Sequence, residues 1–256
     1  MSEWSIVLAE QTMDLGIWDR LVYGQDTCHS FLALVNPEGE VVSEIHGTTF
    51  HPDTGKLSYK GQSFQTFAKA IACSAGVSEP FMSAVEKADM DHHWPRLKVA
   101  VTNGMWRLDK VEPDHQQVVL SGSKEEVVAE WLDACELGLR FNKLDEYYMP
   151  FSARIGGRNC NSVTALMLHA MDVDTTHLEF SHASVGFNNK LVERHEELAA
   201  FNTRQTYDPD ELDSKLFRMI KGPWMIFHRT DRSHREPVDT GYKIPEDVMA
   251  GYEMAR

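Results

Sequence analysis

The feature that most constrains this chain is a pair of β-rich runs, SFLALV at 30–35 and VVSEIH at 41–46, set around the turn residues Pro37, Glu38 and Gly39. Two such runs about a short turn cluster predict a β-hairpin. With the turn centred between Glu38 and Gly39, His29 faces Thr48, Phe31 faces His46 and Ala33 faces Glu44. Side chains alternate across a strand, so His29, His46 and Glu44 share one face, with His46 a diagonal neighbour of His29. A slip of one residue would turn His46 to the other face.

Around this hairpin the periodicities change along the chain. Residues 4–9 (WSIVLA), 97–102 (LKVAVT) and 116–120 (QQVVL) read as strands, and 224–227 (WMIF) as a last one. A helix is expected from Ser63, with Phe64, Phe67, Ala68 and Ile71 on one face. The clearest helix starts after Ser123, where Ser123 and Glu126 fit a capping box ahead of the apolar stripe Val127, Val128, Trp131, Leu132, Cys135 and Leu139. A Pro-, Gly- and Arg-rich loop from Met149 to Arg158 leads to a helix near Asn159, with Val163, Leu166, Met167, Ala170 and Met171 inward. Beyond residue 190 the sequence is polar and weakly periodic. Hairpin first and helices later, without βαβ alternation, predict an α+β fold with a small antiparallel sheet packed on helices.

Bulk properties remove several function classes. No apolar run approaches the length needed to cross a bilayer, so no membrane partner is expected. The start MSEWSIVLAEQ carries an early Glu and makes a poor signal peptide. A net charge of −14, with its charges interspersed, opposes nucleic acid, which needs clustered Lys and Arg. Cys28, Cys73, Cys135 and Cys160 have neither CxxC spacing nor the density of a secreted scaffold, so reduced thiols in a cytosol-like compartment are expected. A leaderless export route is the alternative.

One cysteine stands apart. Cys135 falls in a buried helical stripe and Cys73 beside Ala72 and Ala75, both ordinary packing positions for a small hydrophobe. Cys160 follows Gly156, Gly157, Arg158 and Asn159 and opens an amphipathic helix. With Asn159 as N-cap it enters the first turn, where unsatisfied amides and the helix dipole favour a thiolate. The same amides, with Asn159, Gly157 and Asn161, are placed to receive an oxyanion on an attacked carbonyl. A thiol nucleophile works best with a base, and His29 is the candidate, with His46 to orient its ring. The other metal-type cluster, Asp91, His92 and His93, needs a further ligand such as His51 or His115, and reads more simply as a solvated loop. No metal or cofactor is expected.

A His opening an early hairpin, CHSFLALVNPEGEVVSEIHG at 28–47, and a later Asn-Cys pair opening a helix, GGRNCNSVTALMLHAMDV at 156–173, resemble the circularly permuted papain-like thiol hydrolases of the NlpC-type superfamily, which include relatives of lecithin retinol acyltransferase. The segments at 125–151 and 186–193 are also similar to parts of such proteins. The resemblance implies Cys160 as nucleophile, His29 as general base and His46 as third member. It also implies a permuted papain-like catalytic domain over 1–195, with 196–256 an extension packed on it. The chain departs from the acyltransferase pattern in having Asn161 and Ser162 after the Cys, and in the long His29 to His46 spacing. The expected function is a cysteine-dependent hydrolase of amide or thioester bonds, with a peptide or amide as substrate. The alternative is a binding protein that keeps the fold without the catalysis.

Overall fold

The computed structural model describes residues 3–13, 27–51, 56–57, 96–105, 107–144, 146, 148, 158–182, 184, 186–187, 191, 198 and 207–221. The expected helix from Ser63, the strand at 224–227, Cys73, the Asp91–His93 cluster, Gly156 and Gly157 lie outside these residues.

Six strands form one sheet: β1 (Trp4–Met13), β2 (Thr27–Val35), β3 (Val41–His51), β4 (Lys56–Leu57), β5 (Arg96–Val101) and β6 (Gln116–Gly122). Their order is β4-β3-β2-β1-β6, with β5 also paired to β3, and every pairing is antiparallel. Three helices of eight residues or more are described: α1 (Lys124–Phe141), α2 (Cys160–Ala170) and α3 (Leu212–Lys221). The chain is thus mixed, with an antiparallel sheet and helices, as the order of patterns predicts.

The hairpin register is the expected one from Phe31 to Leu34, but the expected His29–Thr48 pair does not form, Thr48 pairing only with Lys98 among the described residues. Phe31 pairs with His46, Ala33 with Glu44, and the ladder shifts only between Leu34 and Val35, next to the turn. The turn is closed by Asn36, whose side chain accepts from the Glu40 amide at 2.7 Å while its carbonyl accepts from the Gly39 amide at 2.9 Å. Gly39 has φ of 84°, a left-handed conformation that glycine adopts without a Cβ clash.

Alternation gives the sheet two unlike faces. Ile6, Leu8, Leu32, Leu34, Ile45, Val99 and Val101 meet Trp131, Leu132 and Cys135 of α1 and Val163, Leu166 and Met167 of α2 in the main core. Each large side chain fully buried there contributes about 2 kcal/mol of apolar transfer. The other face carries two small clusters, Val7, Ala33 and Val35, and Ala9, Phe31 and Val111, both touched by Leu108.

α3 is a departure from the sequence reading, which found only weak periodicity beyond residue 190. Leu212, Leu216 and Ile220 recur every four residues and join the main core, while Lys124 bonds Asp213 and the Tyr207 hydroxyl donates to Asp133. Met219 packs beside this stripe, and a narrow apolar face is enough for a helix lying on an existing core.

Candidate active site

The site begins where β2 and β3 part. β1 stays paired with β2 as far as Met13 and Thr27, and β3 stays paired with β5 as far as Phe50 and Arg96. Between β2 and β3, however, the ladder among the described residues runs only from Val35–Val41 to Phe31–His46. The edge of β2 beyond Phe31 is answered by α2 instead. The Asn161 side-chain oxygen accepts from the Ser30 amide at 2.8 Å and its nitrogen donates to the Cys28 carbonyl at 3.1 Å. Those are the bonds a neighbouring strand would make, so one carboxamide stands in for a peptide of β3. The Ser30 hydroxyl also donates to Asn161 at 2.9 Å, and the Thr164 hydroxyl donates to the Ser30 carbonyl at 2.8 Å.

Cys160 is the first residue of α2 and stands at the mouth of this split. Its Cα rests on Gly47 of β3, where a Cβ would lie 2.6 Å from the Cys160 Cα and 2.8 Å from its carbonyl oxygen. No other residue permits that approach. Asn159 caps the helix by accepting from the Ser162 amide at 3.2 Å, and the Ser162 hydroxyl accepts from the Asn159 amide at 3.3 Å, so the two form a capping box. Burial pushes the Cys160 thiol up to about 12, against the amides of Asn161 and Cys160 and the Tyr148 side chain, which all favour the thiolate. The helix start therefore acts in the expected direction, but the burial that sequence does not reveal outweighs it, and the thiol is neutral near pH 7.

On the opposite face of the sheet a polar chain crosses β2 and β3. His29 Nε2 lies 3.1 Å from His46 Nδ1, and His46 Nε2 lies 2.8 Å from Glu44 Oε2. Glu44 in turn accepts from the Arg107 amide at 2.9 and 3.0 Å and from the Leu108 amide at 2.9 Å. These amides lie at the start of the short 3₁₀ turn Leu108–Lys110. Phe31 stacks on the His46 ring at 4.5 Å, and the two imidazoles lie nearly parallel, 7° apart. Burial lowers His29 well below its ordinary range, helped by His46 and the Arg107 charge; burial also lowers His46, with Arg107 acting the same way against Glu44. Burial works to raise Glu44, but hydrogen bonds from His46, Leu108 and Arg107 hold it below its ordinary value. The Arg107 guanidinium donates to Gln11 at 2.8 Å. The chain is thus two neutral imidazoles ending on a carboxylate.

The structure brings His29, His46 and Glu44 together and ties the helix start of Cys160 to the two neighbours of His29. It does not join the thiol to the imidazole: among the described residues Cys160 Sγ contacts Asn161 Oδ1 at 3.6 Å and no hydrogen bond links it to His29. Strand alternation puts the His29 ring, with Phe31 and His46, on the face away from α2. Asn159 and Asn161, expected at an oxyanion, serve here as helix cap and strand substitute. Sequence reasoning missed Tyr148, Ser30, Ser162 and the amides of Arg107 and Leu108. Of these only Ser162 left a signal, its capping-box spacing from Asn159.

The other described cysteines are buried. Cys135 is buried in α1 with its thiol raised by burial alone. Cys28 is buried, with its sulfur 3.1 Å from the Ser184 hydroxyl. Cys28, Cys135 and Cys160 are free thiols. His115 stacks on His182 at 4.6 Å, and among the described residues no three His, Cys, Asp or Glu side chains are grouped to hold a metal ion. Among those residues, too, no helix is long and apolar enough to cross a membrane. Compared with known proteins, the chain matches no family model, no curated protein and no solved structure.

Proposed function

We propose that this protein is a cysteine-dependent hydrolase of amide or thioester bonds, of the permuted papain-like kind, with Cys160 as nucleophile and His29 as general base. The observation that carries the reading is the split between β2 and β3. It receives the capped start of a helix bearing Cys160 on one side and a buried His29–His46–Glu44 chain on the other. A polar chain of this kind is costly inside a sheet unless fully satisfied, and this one ends on two backbone amides.

The chemistry follows from the charge states. Thiol and imidazole are both neutral at rest, so no standing thiolate–imidazolium pair precedes the substrate. As Sγ attacks the carbonyl carbon across the split, His29 takes the thiol proton. The first-turn amides of α2 face the developing oxyanion. His29 then gives its proton to the leaving amine or thiol, and the C–N or C–S bond of the substrate breaks. Water, deprotonated by His29, attacks the acyl carbon; the acid leaves and Cys160 regains its proton. His46 and Glu44 hold the ring through both half-reactions.

The test is hydrolysis of a panel of small aryl thioesters and peptide amides. Turnover absent in Cys160→Ala, and reduced by roughly 10² or more in His29→Ala, is the expected result. Turnover that survives Cys160→Ala at the wild-type rate ends the proposal. A second reading, a binding protein that retains the arrangement without catalysis, is favoured by one observation: Cys160 is buried and, among the described residues, makes no hydrogen bond to His29. Absence of turnover on every member of the panel, with the wild-type fold intact, would support it.

A further inference from the structure

We propose that Glu44 is a positioning residue that fixes the protons on both histidines and thereby makes Nδ1 the basic nitrogen of His29. Its catalytic meaning rests on the hydrolase reading above; the proton arrangement itself does not.

The argument is one of donors and acceptors. An ionised carboxylate only accepts, and Glu44 already accepts from the amides of Arg107 and Leu108. His46 Nε2, 2.8 Å from Oε2, must therefore be the N–H of that ring. A neutral imidazole carries one N–H, so His46 Nδ1 is left with a lone pair. His29 Nε2, 3.1 Å away, must then donate to it. The lone pair of His29 is consequently on Nδ1. Among the described residues the charged groups acting on this pair are Glu44 at one end and the Arg107 guanidinium, whose charge opposes a second proton on either ring. Phe31 holds the ring planes, so the histidines cannot rotate to trade nitrogens cheaply. One carboxylate that never touches His29 thus selects which of its nitrogens is the base.

Glu44→Gln makes the dependence visible. The Leu108 amide donates to Oε1 alone, so the side-chain oxygen of Gln must stay there and its NH2 takes the place of Oε2. That NH2 opposes the His46 Nε2–H, and the ring is relieved only by moving its proton to Nδ1. His46 Nδ1–H then donates to His29 Nε2, and the His29 proton moves to Nδ1 in turn. The experiment is a long-range 1H–15N correlation spectrum of ring-labelled histidines near pH 7.5, assigned with His29→Gln and His46→Gln. The wild type should show both rings neutral and protonated at Nε2, and Glu44→Gln should show both protonated at Nδ1. Glu44→Asp, which keeps the carboxylate, should return the wild-type pattern. Thioester turnover in Glu44→Gln should fall about a hundredfold in kcat with little change in KM.

Glu44→Gln with wild-type tautomers overturns the role of Glu44. Should that variant fail to fold, a wild-type spectrum with His46 protonated at Nδ1, or with either ring charged, overturns it as well. A tautomer switch without loss of turnover leaves the proton arrangement standing and counts against His29 as the base, which separates the two claims.

Discussion

α1 and α2 begin with the same local device and use it differently. Each opens with a capping box, Ser123 with Glu126 and Asn159 with Ser162. The first lies at the surface, where water would answer the end amides if the cap were lost. The second is buried against β2 and β3, so each polar group around it needs a protein partner; Asn161, Ser30 and Thr164 supply them. The thiols follow the same contrast. Cys135 is surrounded by apolar side chains, whereas the equally buried Cys160 has amides and the Tyr148 side chain aimed at its sulfur. Burial at a helix start, not the cap by itself, distinguishes the candidate site.

The contrast breaks most decisively at Gly47. Gly47→Ala drives a methyl into the Cys160 backbone and Val163, neither of which is a flexible side-chain end. A loss of about 3 kcal/mol is expected, read as a lower urea midpoint with the slope unchanged. A loss below half a kilocalorie, on the order of a surface substitution, would show that α2 is not seated as described. Next is Asn161→Ala, which strips the Ser30 amide and the Cys28 carbonyl of their partner. It should cost about 2 kcal/mol, and hydrogen exchange at the Ser30 amide should speed up while that at Ala33 does not.

Acid should act on the polar chain more than on the helix ends. His29 and His46 are held below their ordinary value of 6.5, so below that pH the unfolded chain binds protons the folded one refuses. Their contribution is full above about pH 6.5 and is lost as pH falls, each at no more than about 1.4 kcal/mol per unit. Glu44, lowered from 4.5, adds a loss of the same sign in stronger acid. Cys160, raised from 9.0 to about 12, gives the opposite limb, with stability lost as pH climbs through that interval. Urea midpoints against pH should therefore show a plateau between the two limbs, and a double His29→Phe, His46→Phe protein should lose much of the acid slope. An unchanged slope would place the acid sensitivity elsewhere. The smallest effect is at the surface cap, where Ser123→Ala should cost about 1 kcal/mol or less. If it costs as much as Asn161→Ala, the two helix starts are not energetically distinct.

Much of this was legible in the sequence, and the limits have physical causes. The hairpin register followed from strand alternation and a turn at Pro37–Gly39, so the shared face of His29, His46 and Glu44 was readable. Cys160 at a helix start followed from Asn159 and the apolar spacing after it. The split was not readable, because nothing in a hairpin's period-two pattern marks where its partner strand gives way to a helix. Nor were the Arg107 and Leu108 amides on Glu44, since backbone groups sixty-odd residues away leave no side-chain signature. The protonated state of Cys160 depends on burial, which capping residues do not report. α3 was missed because one short run of apolar residues in a largely polar stretch suffices only once α1 is there to receive it.

The most direct test of the central claim is acylation by a small activated aryl thioester at neutral pH. The reaction is quenched in acid and mapped by peptide mass spectrometry in wild type, His29→Ala and Glu44→Gln. The account predicts that the acyl group is found on Cys160 and not on Cys135 or Cys28, that it turns over, and that both variants acylate more slowly by roughly a hundredfold. Acylation of Cys160 at the same rate in all three proteins, or acyl groups spread over surface lysines with Cys160 untouched, would contradict a thiol and a histidine working together across the split.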